Sequence, residues 1–149
     1  MTSIQFYFNA DDKLAVACRL AAKAAAQKKR IVVLARDGAA AREFDRKLWT
    51  WQQISFVPHC MAGDPVAEHT PVLIATPEGE LPAFVMPEIL MNLGDECPPL
   101  FERFDRLLEV VGSDEDDRAR GRARYRYYKE RGYALTHHDL AGEAHGGRH

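Results

Sequence analysis

The chain has 149 residues, of which 46% are hydrophobic and 28% are charged. These values are typical of a globular protein, and the length fits one domain with its own core, which excludes a fibrous or wholly disordered chain. The 20 Lys and Arg residues against 22 Asp and Glu residues give a formal net charge of −2, which excludes a surface covered throughout in positive charge.

The first third of the chain alternates apolar runs with amphipathic segments. Residues 4–9 favour a strand, and the apolar spacing within residues 11–30 predicts a helix. Residues 31–35 are continuously apolar, which is typical of a strand buried on both faces of a parallel sheet. Asp37 is a suitable N-cap for a second helix, which we expect to extend to Trp51.

The middle of the chain predicts more strands and fewer helices. Residues 59–71 contain glycine, proline and aspartate and are expected to form a loop. Residues 101–106 favour a short helix. Apolar runs predict strands at residues 54–58, 72–75, 88–93 and 107–111.

The C-terminal part predicts one long charged helix over residues 113–131. Acids fill its first turn, Ser113 or Asp114 can cap it, and Gly132 is suited to end it. We expect the domain to span residues 1–133 and residues 134–149 to form a disordered tail. Strands that alternate with helices predict an α/β fold, a single-domain, doubly wound, mostly parallel sheet flanked by helices.

The usual signatures of bound cofactors are missing from this α/β pattern. The first strand-to-helix turn, residues 9–13, has no glycine and contains two aspartates that would repel a phosphate, so we expect no nucleotide there. His59 and Cys60 lack the spacing of a zinc site. The acids at residues 114–117 are explained by the positive end of the helix dipole. We therefore predict no catalytic site, metal or cofactor.

The compartment is predicted from what the sequence lacks. The N-terminus has no basic segment followed by an apolar run, and no stretch approaches the length of about 18 apolar residues that spans a bilayer. Three scattered cysteines do not suggest a disulfide framework. We expect a cytosolic protein with reduced thiols.

Residues 118–131 carry an unusual charge. They contain seven basic residues and one acid, a local net charge of +6, so the rest of the chain carries −8. Such a run suits an anionic partner, either nucleic acid or an acidic peptide, although a solvated charged helix is an equally open interpretation. The acidic remainder favours a short acidic peptide that docks at one place. On a helix, one basic stripe is formed by Arg118, Arg122, Tyr125, Arg126 and Lys129.

A second feature is Trp49, which projects away from the apolar face of the predicted second helix. Trp51 and Phe56 are near it in sequence. An exposed aromatic cluster indicates a partner surface. The alternative is that the helix ends before Trp49 and that its ring folds into the core.

Short motifs in a fixed order resemble a known family, the chi subunits of bacterial DNA polymerase III, which are accessory proteins of the clamp loader. The resemblance extends over about residues 1–133. Its motifs are FYF at 6–8, KLWTW at 47–51, SFVPH at 55–59, an Ala-Gly turn at 62–63 and RARYRYYKERG at 122–132.

The resemblance implies a non-catalytic adaptor with a nucleotide-binding-like fold and no nucleotide. Such a protein binds the psi subunit of the clamp loader. It also binds the acidic C-terminal tail of single-stranded-DNA-binding protein, which ends in Pro-Phe with a free carboxylate. We therefore expect a monomer or a heterodimer with psi, located in the bacterial cytoplasm at the replisome, whose contact with nucleic acid is mainly indirect.

The resemblance also assigns residues. The psi-facing surface would include Trp49, Trp51 and Phe56. The tail-binding pocket would consist of Val111, Arg118, Arg122, Tyr125, Arg126, Lys129 and Gly132. Two alternatives are a direct nucleic-acid-binding module, with the basic stripe on phosphates, and a small enzyme that acts on a nucleotide or phosphoester.

Overall fold

A computed structural model gives the fold for residues 2–50, 58–62, 70–77, 88–99 and 101–141. Within these ranges seven strands form one sheet and three α-helices pack on it. The helices are α1 (Lys13–Ala26), α2 (Gly38–Trp49) and α3 (Glu115–Glu130). The strands are β1 (Ser3–Ala10), β2 (Ile31–Leu34), β3 (His59–Met61), β4 (Val72–Ala75), β5 (Ile89–Asn92), β6 (Arg106–Gly112) and β7 (Leu135–Asp139).

The sheet is parallel throughout, in the order β3-β4-β2-β5-β6-β1-β7. The central strands are those with continuous apolar sequence: Ile31 of β2 pairs with Val72 on one side and Ile89 on the other, and all three are buried. A strand covered on both faces needs apolar residues at every position. The sheet confirms the predicted α/β class.

The helices cover both faces of the sheet. One core joins α1 and α2 to the sheet, and includes Phe44 and Leu48 of α2. Cys18 of α1 lies in the same core, where burial raises the pKa of its thiol to about 12. The other core lies beneath α3 and contains Phe6 of β1 and Tyr128. Two cores on opposite faces are the doubly wound arrangement that the sequence predicted.

Aspartate caps begin all three of these helices. The side chains of Asp12, Asp37 and Asp114 each accept a hydrogen bond from the backbone N–H three residues later, at 3.1, 2.8 and 2.9 Å. Each cap satisfies one of the N–H groups that a helix start leaves without a partner. The predicted caps Asp37 and Asp114 are therefore confirmed.

Three predictions in the middle of the chain need correction or lie outside the described residues. The predicted loop at 59–71 includes β3, a three-residue edge strand whose mixed His-Cys-Met sequence gives no strand signal. The predicted helix at 101–106 is a single 3-10 turn at Phe101–Arg103, because Arg106 already pairs in β6. The strand predicted at 54–58 falls outside the described residues, except for Pro58.

The prediction of a disordered tail from residue 134 is wrong for Leu135–Asp139, which forms β7 and pairs with β1 along its length. Polar side chains are tolerated there because β7 is an edge strand held by backbone hydrogen bonds. Leu140 follows it and is buried, with its N–H donating to the Phe8 carbonyl at 2.9 Å. Residues 142–149 lie outside the described ranges.

Candidate ligand-binding site

Helix α3 ends in a motif that fixes its last turn. Gly132 has φ +84°, the left-handed conformation that glycine adopts most easily. The Gly132 N–H donates to the Lys129 carbonyl and the Tyr133 N–H to the Tyr128 carbonyl, at 3.1 and 3.3 Å. These two bonds form a Schellman motif, and the Tyr128 and Tyr133 rings make its apolar contact at 6.4 Å. Gly132 therefore has the structural role that the sequence predicted.

The inner face of α3 lies very close to the sheet at Gly121. A Cβ atom at this position would lie 2.8 Å from both γ-methyl carbons of Val111 on β6. Only a residue without a side chain fits this distance. Gly121 thus brings Val111 directly under the helix, and so sets the depth of any cavity beside it.

A buried ionic network holds the same face further along the helix. Glu109 of β6 is fully buried and accepts hydrogen bonds from Arg124 Nε at 3.0 Å, from the Tyr128 hydroxyl at 2.6 Å and from Asn92 Nδ2 at 3.0 Å. Arg124 also donates to the Asp95 carbonyl at 2.8 Å. Burial raises the pKa of Glu109, although Arg124 and the other donors oppose the change.

A second buried acid fixes the start of α3. Asp117 accepts a hydrogen bond from the Gly112 N–H at 2.6 Å and lies 3.1 Å from the Lys13 ammonium group. Burial alone would raise its pKa, but these two partners outweigh burial and hold the pKa below its usual value. The first turn of α3 is thereby attached to β6 and to α1.

The outer flank of α3 borders a cavity of about 340 Å³ that lies between the helix and strands β1 and β7 of the sheet. Its wall is mainly aromatic and aliphatic, and two arginines stand at its border. The edge-to-face contact of Phe6 with Tyr125, at 5.2 Å, forms part of that wall. The residues that line it are Phe6, Phe8, Asn9, Val111, Arg118, Gly121, Arg122, Tyr125 and His137.

The basic residues of α3 fall into two groups. Arg120 lies 3.3 Å from Asp95, Arg124 is bound to Glu109, and the guanidinium of Arg131 stacks 4.3 Å from the Tyr127 ring. The second group forms no ion pair within the described ranges and is exposed to solvent. Its members are Arg118, Arg122, Arg126 and Lys129. The positive charge on α3 that is available to a ligand therefore comes from the basic residues of the predicted stripe.

The structure brings together part of the predicted tail-binding set. Val111, Arg118, Arg122 and Tyr125 line one cavity. Arg126 and Lys129 are exposed on α3 but do not line it, and Gly132 ends the helix.

Sequence reasoning missed the other side of this cavity, which comes from β1 and β7. Phe6 and Phe8 lie on the same face of β1, since residues two apart in a strand point the same way. The alternation in FYF was a signal for them. His137 gave no signal, because β7 was not predicted.

The predicted psi-facing surface is described only in part. Trp49 is the last residue of α2 and its side chain is 57% exposed, which confirms that it projects from the core face. Its ring contacts the His59 ring edge-to-face at 5.1 Å, and His59 Nε2 lies 3.2 Å from Asp45 Oδ1. Trp51 and Phe56 lie outside the described residues.

The described ranges also bear on two other kinds of ligand, a phosphate group and a metal ion. The Asp12 side chain occupies the N-terminus of α1, where a phosphate would bind in a nucleotide-binding fold. No group of three or more His, Cys, Asp or Glu side chains there is arranged to hold a metal ion. None of the helices in these ranges is long and apolar enough to cross a membrane.

The fold and the cavity together define a doubly wound α/β protein with a cavity that is lined by aromatic side chains and bordered by arginines. The family model described as DNA polymerase III chi subunit, HolC, matches residues 1–136. The chain therefore belongs to the family of DNA polymerase III chi subunits, which are accessory subunits of DNA replication.

Relatives from three bacteria agree with this assignment. The chain is 33% identical to the DNA polymerase III subunit chi of Pseudomonas aeruginosa over 144 residues, covering 94% of this chain and 98% of the relative. The corresponding subunit of Haemophilus influenzae is 27% identical, with coverage of 81% and 83%. That of Escherichia coli is 28% identical, with coverage of 80% of each chain.

Proposed function

We propose that this protein is a non-catalytic adaptor of the bacterial replisome, and that the cavity beside α3 binds the acidic C-terminal tail of single-stranded-DNA-binding protein. The observation that carries the proposal is the combination of an aromatic cavity with two exposed arginines at its border, which form no ion pair with the described residues. A peptide that ends in phenylalanine offers both an aromatic ring and a free carboxylate at one point.

The cavity suits these two groups in different ways. The terminal ring would pack between Tyr125 and the buried Val111, where apolar burial and ring contacts both favour it. The carboxylate would lie near Arg118 and Arg122, whose guanidinium groups can form paired hydrogen bonds with it. Neither arginine would have to break an ion pair with a residue of the described ranges to do so.

The remaining stripe residues would act on the rest of the tail. Arg126 and Lys129 continue the exposed positive charge along α3, beyond the cavity. Acidic residues that precede the terminal phenylalanine would be attracted there. Since these charges are exposed, their contribution would be small and reduced by salt.

The second attachment would be to the psi subunit through the surface around Trp49, at the C-terminal end of α2. A large exposed ring is the kind of residue that dominates protein interfaces. Trp51 and Phe56 belong to the same proposal from the sequence. The adaptor would then act in the cytoplasm as a monomer that pairs with psi, and its contact with DNA would be indirect.

The test is a titration of an acidic peptide ending in Pro-Phe into the intact protein. Arg122→Ala should weaken binding by about 1–3 kcal/mol, the scale of a lost hydrogen bond to a charged group. Arg131→Ala is the matched control, because it removes the same charge at the C-cap of the same helix and outside the cavity, where Arg131 stacks on Tyr127. Equal affinities for both variants and the unaltered protein would show that the peptide does not use this cavity.

A direct nucleic-acid module is the second candidate, because Arg126 and Lys129 are exposed and unpaired within the described ranges. A single-stranded oligonucleotide that binds more tightly than the peptide, and that loses affinity equally with Arg118→Ala and Lys129→Ala, would favour this alternative. Preference for the peptide, with a larger loss for the cavity arginine, would favour the adaptor.

A further inference from the structure

Strand β7 builds one side of the cavity. It pairs with β1 in parallel, with His137 opposite Phe6 and Asp139 opposite Phe8. Paired residues on neighbouring strands point to the same face of the sheet, so His137 lies on the face that carries Phe6 and α3. The match to the family model ends at residue 136, just before this histidine.

Two contacts hold β7 in this position at the border of the cavity. Asn9, which has φ +62°, donates from Nδ2 to Asp139 Oδ1 at 2.9 Å. The Leu140 side chain is buried in the core on the opposite face of the sheet. A hydrogen bond on the cavity side and a buried side chain on the opposite face of the sheet therefore both hold this end of β7.

The His137 ring belongs to the aromatic wall. Its centroid lies 5.9 Å from the Phe8 ring and 6.4 Å from the Tyr125 ring, the latter edge-to-face. These separations are within the range of favourable ring contacts. The imidazole is exposed, and it lines the cavity opposite the α3 arginines.

The next residue on β7 has a different position. His138 stacks on Tyr7 with centroids 4.6 Å apart and an interplanar angle of 12°. Alternation along a strand directs its ring away from the face of His137. His138 is not among the residues that line the cavity. The two adjacent histidines therefore provide a test residue and its control.

We propose that His137 is a ligand-contacting residue that selects an aromatic side chain at the C-terminus of the bound peptide. The proposal rests on the proposed function of the cavity. The His137 ring would close the side that α3 leaves open, so that the ligand ring is held between Tyr125 and the imidazole. His137 would therefore favour a peptide with an aromatic C-terminal side chain over one with a small C-terminal side chain. It would have less effect on how the acidic residues of the peptide bind.

The experiment is a double-mutant cycle on the full chain, with two acidic peptides that differ only in ending in Pro-Phe or Pro-Ala. His137→Ala should weaken binding of the Pro-Phe peptide by about three- to tenfold, the range expected for an aromatic contact, and should change binding of the Pro-Ala peptide much less. His137→Phe should retain the preference for Pro-Phe. His138→Ala should leave both affinities unchanged.

The outcomes separate this inference from the proposed function. If the unaltered protein binds neither peptide, the proposed function fails. If it binds the Pro-Phe peptide and His137→Ala binds it equally well, or loses affinity for both peptides alike, His137 does not contact the terminal ring and the inference is overturned. Thermal unfolding of each variant, compared with His138→Ala, shows whether β7 remains in place.

Discussion

The two faces of α3 use the same residue type in opposite ways. Arg122 and Arg124 are two positions apart, and a helix turns about 200° over that distance. Arg124 points inward and is bound to a fully buried carboxylate, whereas Arg122 points outward to the cavity and is exposed. An arginine side chain thus takes part in the buried packing on one face of α3, and on the other face an arginine provides an exposed positive charge.

Contacts on the inner face of α3 position the residues that form the cavity on its outer face. Tyr125 follows Arg124 directly, so the network that holds Arg124 also holds the part of α3 from which the Tyr125 ring projects towards Phe6. Gly121 lets the helix lie close enough to β6 for Val111 to border the cavity. We therefore expect substitutions on the inner face to change stability first, and those on the outer face to change binding alone.

The largest expected effect is that of Arg124→Leu. This change leaves Glu109 buried without its counter-charge, and should lower the free energy of unfolding by about 3–5 kcal/mol, as measured by urea denaturation. Arg122→Leu is the matched control on the outer face, with an expected change within about 0.5 kcal/mol.

A second variant checks the cause of that loss. Combining Arg124→Leu with Glu109→Gln removes the unpaired charge and keeps an oxygen that can accept from the Tyr128 hydroxyl, so it should be more stable than Arg124→Leu alone. If the double variant is less stable than the single one, the loss did not come from an uncompensated carboxylate.

An intermediate effect is expected at Gly121. Alanine normally stabilises a helix relative to glycine, but here its Cβ would lie 2.8 Å from both Val111 methyl carbons, so Gly121→Ala should lower the free energy of unfolding by about 1–3 kcal/mol. Peptide affinity should fall as well, because both residues line the cavity.

The control for Gly121→Ala is the same change in a Val111→Ala background, where the clashing methyl groups are gone. There Gly121→Ala should be neutral or stabilising in the same denaturation measurement, since only helix propensity remains. A loss of the same size in both backgrounds would mean that close contact with Val111 is not the reason for glycine.

Patterns within short stretches of the sequence correctly predicted the strands and helix caps that depend on neighbouring residues alone. The apolar run at residues 31–35 and the caps Asp37 and Asp114 are found where they were expected. Helical periodicity also separated the exposed stripe from Arg124, which it leaves off that face. These features depend on spacing within one element, which a sequence displays directly.

The features that were missed depend on contacts between distant elements. Glu109 and Arg124 meet because β6 and α3 pack together, and no local signal shows that Arg124 binds a buried carboxylate. Strand β7 owes its place to backbone pairing with β1, which polar residues such as His137 do not reveal. The part of the cavity wall that comes from β7 was therefore hidden from sequence reasoning, while its basic part was visible.

The smallest expected effect concerns Gly132, which the family resemblance placed in the tail-binding set and which ends α3 in the left-handed conformation. Alanine at φ +84° is strained even though no atom lies within 4 Å of its Cβ, so Gly132→Ala should lower the free energy of unfolding by about 1 kcal/mol. Gly132→Asn should cost less, because asparagine tolerates this conformation better. Peptide titration should give unchanged affinity for both variants, since Gly132 does not line the cavity. A marked loss of peptide affinity in Gly132→Asn, without a loss of stability, would mean that the ligand extends past the cavity to the end of α3.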